Sequence, residues 1–196
     1  RIVAQPLGGN QFRVVIPPSA TERELVMASV DPGQIKTPTP FTQRTFINYA
    51  NVSNQADYLI ISNPIVYNDK NGVNQVNEYR LYRSSVNGGS FNAKVYDVNE
   101  LIDQFGWGIK FNALAIRNFL RFARQRFSTY PKYTLLIGKG VSLPSLRPIE
   151  NRNAANRMSL VPTWGYPSSD MILAADEGDV VPKIPIGRLN VVDGTE

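Results

Sequence analysis

Tyr58-Leu59-Ile60-Ile61-Ser62 and Tyr133-Thr134-Leu135-Leu136-Ile137 are runs of strand length without the polar alternation of a half-exposed strand. Such a run must be covered on both faces, as strands are inside a parallel sheet. Ala93-Lys94-Val95-Tyr96-Asp97-Val98 lies between them and reads as a further strand. Helical patterns fill the intervals. Val73, Val76, Tyr79, Tyr82 and Val86 form a stripe that Gly88-Gly89 should stop. Residues 98–105 suit a short helix broken by Gly106-Trp107-Gly108. Asn112 is placed to cap a strong helix over 113–127, with Ile116, Phe119, Leu120, Ala123 and Phe127 on one face. Strand, helix, strand, helix, strand predicts a three-layer α/β domain with a mainly parallel sheet and right-handed crossovers.

The rest of the chain is less regular. Residues 1–55 read as a β-rich segment and linker, with 56–196 as the α/β subdomain. Arg13-Val14-Val15-Ile16 is a candidate strand stopped by Pro17-Pro18, and Leu25-Val26-Met27-Ala28 another. Pro32-Gly33 signals a turn, and Pro38-Thr39-Pro40 an extended linker. Residues 139–160 read as a long polar loop. Met171-Ile172-Leu173-Ala174 and Ile184-Pro185-Ile186-Gly187-Arg188 are two further apolar segments, and Pro185 puts the second at a sheet edge or a strand end.

The chain of 196 residues contains no Cys and no His. Within it, that excludes disulfides, Cys-His and Ser-His-Asp catalysis and ordinary zinc sites. Ser62, Ser142, Ser145, Ser168 and Ser169 have no base and no nucleophile-elbow context. A net charge of +5 raises nucleic acid as a partner. No dense Lys/Arg block supports it, so no nucleic-acid partner is expected.

Three local patterns qualify as candidate sites. Gly138-Lys139-Gly140 follows a buried strand but lacks the spacing of a phosphate loop, and a strand-end turn explains it. Arg117, Arg121 and Arg124 make a basic stripe that is either a partner-binding face or the solvated side of a helix. Asp170, Asp176 and Asp179 are candidate calcium ligands, since oxygen donors around a Gly turn suit that ion. Their spacing does not fit an EF-hand, and an acidic turn between two strands is the plainer reading.

Several segments in order resemble the gingipain-like (family C25) cysteine peptidases, a family that includes the sortase-like peptidase of type IX secretion. They are Ala56-Asp57-Tyr58-Leu59-Ile60-Ile61-Ser62, Tyr79-Arg80, Val95-Tyr96-Asp97-Val98 with residues 100–106, Ala115-Ile116-Arg117-Asn118-Phe119-Leu120, residues 133–138, Val161-Pro162-Thr163 with Ser169-Asp170, and residues 184–189. The resemblance covers about 56–192. It implies a caspase-like unit of two α/β subdomains, with catalytic His and Cys in the second. This chain is then expected to be the first, non-catalytic half, ending before those residues. Its expected partners are the downstream subdomain, a protein or peptide substrate and outer-membrane secretion machinery. Export to the periplasm, the cell surface or the medium is expected. A catalytically dead scaffold module is the alternative, and the strand-helix order alone also admits a stand-alone flavodoxin-like domain. One position departs from the family pattern: Lys139 stands where members commonly carry Asp after the strand-end Gly.

Overall fold

The structure, a computed structural model, describes residues 2–26, 28, 31–33, 43–146 and 149–196. They form two compact units, Arg1–Arg44 and Thr45–Glu196. In the first, β1 (Gln5–Gly8) and β2 (Gln11–Arg13) pair antiparallel as an exposed hairpin with a bulge between Pro6 and Gly8. The strand expected from Arg13 to Ile16 therefore ends at its first residue. Val14, Val15 and Ile16 are exposed and extend no sheet. Leu25, Val26 and Ala28 form no strand. Met27 and the 38–40 linker lie outside the described residues.

The second unit is built on β3 (Tyr58–Ser62), β4 (Ala93–Asp97), β5 (Tyr133–Ile137) and β6 (Ile186–Leu189) in the order β4-β3-β5-β6, all parallel. The largely apolar run takes the centre. Tyr58 faces Ala93 on one side and Tyr133 on the other, and every residue of β3 is buried. Pro185 precedes β6 at the edge, where its carbonyl accepts a hydrogen bond from Thr134 N–H at 2.9 Å.

Helix α1 (Gln75–Ser84) covers one face, and α2 (Val98–Phe105) and α3 (Leu114–Arg126) the other, giving three layers. Alternation along the strands sorts the core. Leu59, Ile61, Tyr96 and Leu136 meet α2 and α3, while Tyr58, Ile60, Ala93 and Ile137 lie on the α1 side. Phe119, fully buried, is ringed by Tyr49, Tyr96, Phe105 and Phe127 at centroid distances of 4.8 to 6.2 Å. Gln55 ties the entering segment to this core: its Oε1 accepts from Ser128 N–H at 2.7 Å and its Nε2 donates to Ala50 O at 2.9 Å.

Several local expectations are corrected. Only Val76 and Tyr79 of the α1 stripe reach the sheet; Val73, Tyr82 and Val86 are exposed. The helix stops at Ser85, whose extended backbone and hydroxyl bond to Tyr82 O end it before Gly88. Asn112 does cap α3 through Oδ1, which accepts from Leu114 N–H at 3.1 Å. The polar stretch 139–160 is not one loop but holds α4 (Leu143–Leu146) and α5 (Ile149–Met158). Met171–Ala174 is a 3-10 turn rather than a strand, burying Leu173 and Ala174 beneath α3.

Candidate functional site

Function in open parallel sheets gathers at the carboxyl ends of the strands. Here that end carries Asn63, Asp97, the 138–140 turn and Arg188. Gly138 has φ +138°, and a Cβ added to it would sit 2.8 Å from Val161 Cγ2, so the chain turns there only with Gly. The Lys139 carbonyl accepts from Leu160 and Val161 N–H, and its own N–H donates to Val191 O at 2.8 Å. These bonds make 138–140 the strand-end turn expected of it. The Lys139 side chain lies on an open hollow with Val141, Pro144, Ser145 and Met158.

Arg188 is the centre of this end. Its Nε and Nη2 donate to the two carboxylate oxygens of Asp170 at 2.7 and 2.8 Å. Nη1 donates to Gly138 O at 2.6 Å and Val161 O at 2.9 Å, and Nη2 reaches Pro162 O at 3.3 Å. One planar fork thus joins the edge strand, the β5 turn, residues 161–162 and Asp170. Burial would raise the Asp170 pKa, but hydrogen bonding and charge from Arg188, with a bond from Thr163, hold it below the ordinary value.

The other two candidate calcium ligands lie elsewhere. Asp176 receives a short hydrogen bond from Arg124 Nη2, which lowers its pKa. Asp179 pairs with Lys183 at 2.7 Å, and that bond with neighbouring backbone N–H groups lowers it to about 2. Each carboxylate is satisfied by a cation, and among the described residues no group of three or more acidic, His or Cys side chains is placed to hold a metal. The three carboxylates expected as calcium ligands thus lie against three different cations, Arg188, Arg124 and Lys183.

The basic stripe changes meaning for the same reason. Arg124 is largely buried against Asp176, Arg121 Nη1 lies 3.7 Å from Glu177, and the Arg117 guanidinium stacks over Trp164 at 4.9 Å. This side of α3 therefore lies against the 164–177 segment. The acidic turn and the arginine stripe, two separate candidates in sequence, are the two halves of one contact.

No described serine has the surroundings of a nucleophile. Ser62 Oγ donates to Ile137 O at 2.9 Å and is fully buried, and Ser142 and Ser145 bond each other. Residue type alone did not single out Arg188. The signal lay in order: Arg188 and Asp170, 18 residues apart, both fall in segments that resemble the C25 family.

The model of peptidase family C25 matches residues 51–196. No curated protein matches the chain. Among solved structures it is similar to dimeric latent PorU from Porphyromonas gingivalis, at 17% identity and a TM-score of 0.48, over 71% of this chain and 14% of that one.

Proposed function

Because the chain belongs to peptidase family C25, we propose that it is the supporting, non-catalytic half of a caspase-like cysteine peptidase unit. The observation that carries this reading is a family match over 51–196 in a chain with no Cys and no His. A cysteine peptidase needs a thiolate to attack the scissile carbonyl and a His to manage the proton. A second subdomain of the same polypeptide supplies both, and this half buttresses it. Protein or peptide is the substrate of the assembled unit. The reading extends to an exported protein of the type IX pathway; among the described residues no helix is long and apolar enough to cross a membrane. The Arg188 fork supports a structural role, because it spends every donor on holding the strand ends together.

The test is hydrolysis of a panel of fluorogenic peptides by this chain, with and without a thiol alkylator. No turnover is expected. Turnover that the alkylator abolishes would overturn the assignment. The parent sequence beyond Glu196 separates the two forms of the reading. A His and a Cys at later strand ends support the peptidase; their absence supports the catalytically dead scaffold, which Lys139 in place of the family's Asp favours.

A further inference from the structure

Strand β4 pairs with β3 on one side and with no strand on the other among the described residues. Its free edge is the floor of a groove of about 620 Å³. Asn74, Asn77 and Arg80 of the α1 region form one wall, and Ile47, Asn54 and Glu100 the other. A free strand edge is chemistry suited to polypeptide main chain, because it supplies donors and acceptors at the spacing of an extended backbone.

The charges at the two ends of the groove differ in sign. Phe91 N–H donates to Arg83 O, so the late turns of α1 lie beside the amino end of β4. Arg80 and Lys94 therefore mark the amino end. Asp97 closes the strand, and Glu100 stands in the first turn of α2 just beyond it. Strand alternation places one pair on each face: Lys94 shares the α2 side with Tyr96 and Glu100, while Asp97 falls on the α1 side with Arg80. Each wall thus has a cationic end and an anionic end.

We propose that the walled edge of β4 binds a single extended peptide by strand addition, with an acidic side chain at the Arg80 and Lys94 end and a basic side chain at the Asp97 and Glu100 end. A second copy of the chain is a poorer occupant. Lys94 in this edge strand guards against edge-to-edge pairing, because two copies would bring like charges together. The proposal does not depend on the peptidase reading.

The probes are two acetylated, amidated five-residue peptides, Glu-Thr-Val-Thr-Lys and its reverse Lys-Thr-Val-Thr-Glu, which suit parallel and antiparallel addition. They are titrated into isotope-labelled chain at low salt and followed by backbone amide shifts. Saturable shifts confined to 93–97 and the groove walls are expected with one of them. Lys94→Glu and Arg80→Glu should each weaken binding about fivefold, and alternate N-methylation of the peptide should abolish it. Shifts elsewhere, no shifts up to millimolar peptide, or binding indifferent to both reversals would overturn the proposal. So would concentration-dependent dimerisation of the chain that Lys94→Glu abolishes, because the edge would then belong to a second copy.

Discussion

Replacing Arg188 by Met keeps an apolar stem and removes the guanidinium. The variant loses two charge-assisted bonds to Asp170 and the donors to three carbonyl oxygens. Taken singly, bonds to a charged group contribute about 1.5–3 kcal/mol each, but they share one side chain and do not add. Breaking a buried pair from one side costs about 3–5 kcal/mol. The Asp170 side chain keeps 22% exposure, so water recovers part of its solvation. The cost of Arg188→Met is accordingly about 3 kcal/mol, the low end of that range. With a urea slope of about 2 kcal/mol per molar, the unfolding midpoint by far-UV circular dichroism falls by about 1.5 M. Adding Asp170→Leu should restore part of the loss, since the orphaned charge goes with it. The sign with pH follows from the lowered Asp170 pKa. Its contribution is full above the ordinary carboxylate value of 3.8 and is lost as pH falls through the lower folded-state value, so wild type and variant converge at acid pH. A midpoint shift below about 0.5 M at pH 7, or a double variant as unstable as the sum of the singles, would refute the reasoning.

Phe119→Ala empties the centre of the aromatic ring cluster and should cost about 3–5 kcal/mol, read as a lower thermal midpoint. Gly138→Ala forces a side chain into Val161 at a positive φ and should cost about 1–3 kcal/mol in the same measurement. Millimolar calcium should leave the thermal midpoint unchanged, because Asp170, Asp176 and Asp179 are each held by a different cation. A carboxyl titration by NMR should find Asp179 half-protonated near pH 2, and a value near 3.8 would show that the Lys183 contact is not kept in solution.

The sheet was the legible part of the fold. A strand such as β3, buried on both faces, must be largely apolar, and Phe119, Leu120 and Ala123 must repeat at helical spacing to face it. Elements whose stability comes from elsewhere were hidden. Residues 149–158 are helical although mostly polar, so periodicity gave no sign of them. Met171–Ala174 has the composition of a strand, yet Asp170 begins a tight turn that tucks Leu173 under α3. Val73, Tyr82 and Val86 kept a helical spacing that the packing does not use. The candidate site was legible as parts only. Arg124 and Asp176 are 52 residues apart, and nothing in either neighbourhood names the other as its partner.

The central position of β3 has a cost in time. It is the first strand of its sheet to leave the ribosome, and one of its two neighbours, β5, follows 75 residues later, the separation between Ser62 and Ile137. At synthesis rates of about 5–20 residues per second, that leaves one edge of Leu59-Ile60-Ile61 uncovered for roughly 4–15 s. During that interval a strand that is buried on both faces in the fold offers a row of unpaired main-chain groups, which is the template on which chains aggregate. Crowded overexpression should therefore drive part of the chain into inclusion bodies.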